Sequence, residues 1–199
     1  MKNLLIAAGL IGAATLAPNA ASAQAVADAK IGLVDIERVA STCNACVTAF
    51  QAIDAQARAV QARETELSTP LQTQSQAIQA EINALNGAEP SAALQQRAQA
   101  FEQQRVNAGN EIRQRQATVQ RNRAYVVQQI SQALEPVYRQ VLASRSANIL
   151  VPTGSVLANS PNVDLTNDVL AALNASLTTL QTQAPAPQQP AQQPAAQGR

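Results

Sequence analysis

Cys43 and Cys46 are the only cysteines of this 199-residue chain, and two residues separate them in "STCNACVT". A C-x-x-C supports three kinds of chemistry. At a helix start the thiolate is stabilised and can exchange disulfides. With two further donors the pair is half of a zinc site. Oxidised, it is a short staple. The chain has no His, which removes the commonest metal ligand and the commonest general base. The choice among the three depends on compartment and on the elements that hold the pair.

The ends of the chain address the compartment. Lys2 precedes the apolar run "LLIAAGLIGAATLA", and Ala21-Ser22-Ala23 follows. A positive charge, a short apolar segment and small residues at the cut make a secretory leader, 1–23, cleaved before Gln24. The run is shorter than the ~20 residues of a membrane span. The mature chain is expected to be exported and soluble. The other end, "TQAPAPQQPAQQPAAQGR", combines repeated Pro with residues that bury little apolar surface, so an unstructured tail is expected over 181–199.

Composition limits the middle. Apolar residues make up 46% of the chain but aromatics only 2%, and Ala supplies much of the difference; this favours helix over a large single core. Without Lys2 the basic and acidic residues number 13 each. No nucleic-acid partner is expected of so balanced a charge.

Over 47–85 apolar residues recur at gaps of three and four: Val47, Phe50, Ile53, Ala57 and Val60, then Leu67, Leu71, Ile78, Ile82 and Leu85, with Glu64 and Gln74 at polar seam positions. That is heptad spacing. Asn86-Gly87 stops the helix and Pro90 suits a new start. The seam returns through Leu94, Phe101, Ala108, Ile112, Val119, Val126, Ile130, Leu134, Val137 and Val141. Two helices joined by a short turn lie antiparallel. The hairpin occupies 47–146, and about 40 residues at 1.5 Å each reach roughly 60 Å. Pro70 and Pro136 are expected to kink or loosen their arms locally. Arg58 and Arg63 face five carboxylates on the outward arm; eight Arg face Glu102, Glu111 and Glu135 on the return arm. Opposite net charges favour the pairing, although exposed ion pairs add only ~0–1 kcal/mol each.

Around the hairpin lie strand-like pieces. "KIGLVDI" at 30–36 is one; "NILVPTGSVLA" at 148–158 reads as two short strands about a Pro152-Thr153-Gly154 turn. In "VDLTNDVLAALN", Thr166 is the expected N-cap of a closing helix with Asp168 at its positive end. Segments 24–46 and 147–180 together make too small a core to stand alone. The predicted fold class is α+β: a long antiparallel coiled-coil hairpin projecting from a small β-rich oligomerisation body.

The order of these pieces resembles the Skp/OmpH family of periplasmic chaperones. The resemblance rests on "KIGLVDIERV", a hairpin of about 100 residues, and "NILVPTGSVLANSPNVDLTNDVLAALN", and it spans 30–177. It implies a jellyfish-like homotrimer in which strands of three copies build the body and three hairpins enclose a cavity. Unfolded outer-membrane proteins would be held there without ATP, cofactor or catalysis, and transient contact with a membrane surface is open. On this reading Leu67, Leu71, Ile78, Leu85, Leu94 and Phe101 are the candidate client-binding residues of the arms. Three features depart from the family: Lys30 is the only Lys of the mature chain, the Cys pair is no family hallmark, and the Pro/Gln tail is additional.

Two other functions compete. The C-x-x-C lies between a strand-like run and a helix, as in thiol–disulfide oxidoreductases, but heptads stand where a βαβ pattern would continue. A hairpin could instead dock an envelope machine as an adaptor; the tip "NALNGAEPSAALQQ" is mild and polar-flanked. An exported chain enters an oxidising compartment, so Cys43 and Cys46 are expected to form an intramolecular disulfide at the junction of body and arm.

Overall fold

The computed structural model describes residues 28–186. The expected leader and residues 187–199 lie outside them. The chain runs β1 (Ile31–Val34), α1 (Ile36–Thr42), α2 (Asn44–Ala84), α3 (Ala92–Ser144), β2 (Ile149–Pro152), two 3-10 turns (Thr153–Ser155 and Pro161–Val163) and α4 (Thr166–Ser176). It is mostly helical with one small pair of strands, an α+β arrangement.

α2 and α3 form the antiparallel hairpin, with 41 and 53 residues, and at 1.5 Å per residue α3 is about 80 Å long. Asn86 and Gly87 take positive φ of 47° and 91° at the turn; Gly87 suits that conformation because it has no Cβ. Ser91 then caps α3, its hydroxyl accepting from the Leu94 amide at 3.2 Å. Pro70 and Pro136, expected to disturb the arms, sit inside helices that run unbroken. Both are exposed, so the carbonyls they leave unbonded, those of Glu66 and Gln132, lie on the wet side of the hairpin.

β1 and β2 are parallel, with Ile31 opposite Ile149 and Val34 opposite Pro152. Parallel neighbours need a crossover connection, and here the whole hairpin is that connection. The second strand expected after Pro152 does not form: Thr153–Ser155 is a 3-10 turn, and Leu157 is fully exposed, with no strand of the described chain beside it. Instead the ladder is extended by a single parallel bridge between Leu33 and Asp164.

The start of α4 also differs from expectation. Thr166 is its first residue rather than its cap. Asp164 takes the capping work, its carboxylate accepting from the Thr166 amide at 2.8 Å; the Thr166 hydroxyl and then this amide hold the Asp164 carboxyl below its ordinary range. The Thr166 hydroxyl is buried and itself accepts from the Asp35 amide at 2.9 Å. α4 is thereby tied to the end of β1, where Asp35 itself caps α1 by accepting from Arg38 N at 2.9 Å.

The core lies where these pieces meet the base of the hairpin. Val34, Val39, Leu165, Val169 and Leu173 of the body share one cluster with Ile53, Val126, Ile130, Val137 and Val141 of the arms. Further out burial thins, leaving only Val60, Ile78, Leu94 and Ile112 buried along the distal seam. Val47 and Ile82, expected in the seam, are 37% and 43% exposed; near the base Ala45, Cys46 and Ala49 take the inward positions instead.

The first residues of the expected tail, 181–186, depart furthest from expectation. Residues 177–186 run back along the base of the hairpin, and their backbone is bonded to side-chain amides of both arms. A Pro/Gln-rich composition offers little to bury, but it leaves every backbone amide outside Pro free to bond.

Candidate functional site

The cysteines sit at the bend between α1 and α2. Cys43 is at once the C-cap of α1 and the N-cap of α2, and its Sγ accepts from the Cys46 amide at 3.2 Å. The two residues are bonded through sulfur, with Cα atoms 5.1 Å apart, and both are fully buried. A catalytic pair must present a sulfur to its substrate; this one is shut inside the core cluster that includes Val39, Ala49 and Val169. Among the described residues no group of three His, Cys, Asp or Glu is placed to hold a metal ion, and no helix is long and apolar enough to cross a membrane.

The six apolar arm residues named as candidates lie along the inside of the hairpin. Ile78 and Leu94 are buried, and Leu67, Leu71, Leu85 and Phe101 are half-buried. The fold therefore brings them into one seam, where each contributes part of its surface to holding the arms together. Two apolar side chains of the distal arms are open to water, Ile82 at 43% and Val106 at 48% exposure.

Mid-hairpin the seam opens on both sides of Val60. One groove, of about 460 Å³, is lined by Gln56, Ala59, Val60, Glu111, Gln114 and Thr118; the other face holds a smaller one of about 160 Å³ beside Ala57, Glu64 and Val119. Small and polar residues at seam positions cause the gap, since they cannot fill the space that Leu or Ile would. Charges bridge it: Arg63 Nε donates to Glu111 at 2.9 Å across the arms, and Arg115 donates to the same carboxylate at 2.9 Å. Nearer the base, Arg123 stacks over the Phe50 ring at 5.5 Å.

Hydrogen bonds from Arg63 and then Arg115 hold the Glu111 carboxyl below its ordinary value of 4.5. A depressed carboxyl stabilises the fold above its unfolded pKa, and the contribution is lost as pH falls through the lower folded value. The hairpin should therefore weaken below about pH 4.5. Glu111→Gln should lower the melting temperature slightly at neutral pH and flatten its fall as the pH drops below about 4.5. Melting curves followed by circular dichroism check this; equal acid slopes in the two proteins would contradict it.

A second polar site lies at the base. Asn122 is 4% exposed in the seam and donates to Gln56 Oε1 across the arms at 2.8 Å. The pair then serves the returning tail. Gln56 Nε2 donates to the Thr182 carbonyl at 3.1 Å, and Asn122 Oδ1 accepts from the Ala184 amide at 2.9 Å. About two turns along α3, Gln129 makes a pair of hydrogen bonds with Gln181, donating to its carbonyl at 2.8 Å and accepting from its amide at 3.0 Å. Sequence reasoning passed over these residues. The available signal was Asn122, which falls at heptad spacing between Val119 and Val126 where an apolar side chain belongs.

A family model described as outer membrane protein (OmpH-like) matches residues 30–173. The chain belongs to this OmpH-like family. The match opens one residue before β1 and closes inside α4, so it takes in the body, the whole hairpin and the cysteine bend. The family resemblance read over 30–177 is thus borne out. A solved structure described as an outer membrane chaperone (OmpH-like) of Caulobacter crescentus shares the fold, with a TM-score of 0.68, 20% identity, and coverage of 83% of this chain and 96% of that one. The sequence matches none of the curated proteins. Residues 177–186, with their bonds to Gln56, Asn122 and Gln129, lie beyond the OmpH-like match.

Proposed function

We propose that this OmpH-like protein is an ATP-independent periplasmic holdase that binds unfolded outer-membrane proteins between the hairpins of a homotrimer. One observation carries the reading: a hairpin whose two helices are about 60 and 80 Å long stands on a body whose sheet is too small to complete itself. Two parallel strands of four residues each rarely stand alone, since parallel sheets are normally covered on both faces. Here β2 has an unpaired edge, and Ile31 and Ile149, opposite one another in register, are 50% and 42% exposed. Copies of the same body would supply both the missing strands and the cover. Three such hairpins enclose a space lined by half-buried apolar residues, Leu67, Leu71, Leu85 and Phe101, with Ile82 and Val106 beside them. Contacts of that kind are individually weak, which suits a holder that must release its client without an energy source.

The test is aggregation of a urea-denatured outer-membrane β-barrel diluted into buffer, followed by light scattering. A stoichiometric amount of the mature protein is expected to suppress it, and sedimentation should find a trimer at micromolar concentration. Unchanged aggregation overturns the holding reading, and a stable folded monomer overturns the trimer.

In the same reading the Cys43–Cys46 disulfide is a staple that sets the angle at which α2 leaves the body. The loop it closes is so short that its stabilisation falls below the ~3 kcal/mol of a 15-residue loop. Cys43→Ser with Cys46→Ser should keep trimer and holding while losing a few degrees of melting temperature, roughly. Loss of all holding in that variant would instead point to a redox or gating role.

A further inference from the structure

We infer that the base of the hairpin carries a binding track for an extended polypeptide, occupied in the free protein by the chain's own residues 180–184. Three observations carry it. The track bonds to backbone: Gln129 grips both the amide and the carbonyl of Gln181, Gln56 donates to the Thr182 carbonyl, and Asn122 accepts from the Ala184 amide. Side-chain amides that read only main-chain groups accept any sequence able to lie extended, as strand addition does. The occupant alternates as a strand does, with Leu180, Thr182 and Ala184 turned inward and Gln181 and Gln183 exposed. The track is also wider than its occupant requires: beside Thr178, Leu180 and Thr182 a space of about 250 Å³ remains against Ala45, Ala49 and Ala52 of α2. Small alanines there leave room for an inward side chain larger than Thr.

The ligand class follows. It is an extended segment with apolar or small residues at alternate positions, the pattern of a strand of an outer-membrane barrel before it folds. Such a segment must displace residues 180–184, so its apparent affinity is reduced by the fraction of time the track is vacant. That the natural ligand is such a barrel rests on the holding function proposed above; that the track binds extended peptide does not.

The experiment uses the full mature chain. Gln181→Pro with Ala184→Pro removes both donated amides of the occupant and leaves the hairpin untouched. A fluorescein-labelled peptide of residues 177–186 is then titrated by anisotropy. The double-proline protein should bind it at least about fivefold more tightly than the unaltered chain, and adding Gln129→Ala, which removes two hydrogen bonds, should lower that affinity by at least about fivefold, roughly the worth of one net hydrogen bond. Equal binding by the unaltered and double-proline proteins, or binding indifferent to Gln129→Ala with helicity unchanged, overturns the track. A denatured barrel polypeptide is finally added as competitor. Displacement of the peptide supports the ligand class, and a barrel that is held but displaces nothing overturns that class while leaving the holdase reading intact. If no barrel is held at all, the holdase reading falls and the peptide titration still decides the track.

Discussion

Replacing Gly32 with Val should unseat the body of this protein, with a loss of about 1–3 kcal/mol or more. On propensity alone the expectation runs the other way, because Val is favoured in strands and Gly is not. Packing decides against it. A Cβ placed on Gly32 would lie 2.4 Å from Leu165 Cδ1, 3.1 Å from Leu165 Cγ and 3.3 Å from Leu150 Cδ1. Leu165 is buried, and its amide donates to the Leu33 carbonyl at 2.8 Å, so its side chain cannot retreat without loosening the joint between β1 and α4. That joint also carries the Thr166–Asp35 bond. Thermal unfolding should show a drop of several degrees, about 2–4 °C per kcal/mol for a chain of this size, and, on the proposed function, assembly and client holding should fall with it. Gly154→Ala is the control: nothing lies within 4 Å of its Cβ position, and a change within about 0.5 kcal/mol is expected. Similar effects at the two glycines would refute the close-approach argument.

The second large effect is expected at the foot of the hairpin. Ile53 is 1% exposed within the cluster that joins both arms to the body. Ile53→Ala should cost about 2–5 kcal/mol, the transfer loss plus the cavity left behind. Ile82, near the hairpin turn and 43% exposed, should change stability by no more than about 0.5 kcal/mol when truncated. The contrast follows from how the hairpin is built. Near the base the seam residues share one buried cluster with α1 and α4, whereas further out the two arms pack on each other. Hydrogen exchange should mirror this, with fast opening over 65–110 and slow exchange over 30–36 and 148–152. Denaturant melts of the two variants decide the point, and equal losses would show that the arm is uniformly anchored.

Much of this architecture was legible in one sequence because it rests on local pattern. The heptad run, its break at Asn86-Gly87 and the capping of α3 depend on residues within a few positions of one another, so the hairpin could be read directly from spacing. The C-x-x-C could be placed at the strand-to-arm junction for the same reason. The family, too, was readable from two short segments in order around the hairpin. Other features depend on residues far apart in the chain, and only the tertiary structure decided them. Nothing near residue 32 announces that Leu165 will rest on it, and nothing near Thr166 announces that its hydroxyl belongs to Asp35 rather than to its own helix. The strand expected after Pro152 failed because a strand needs a partner that local propensity does not provide. Val47 and Ile82 kept the period of the seam but lost their place in it, since facing is set by how two long helices actually approach. The tail was the hardest case. Composition describes what side chains can bury, and here that is little; Gln181, Thr182 and Ala184 are instead held through their backbone by amides 52 to 126 positions away, a bond open to almost any sequence and therefore written in none.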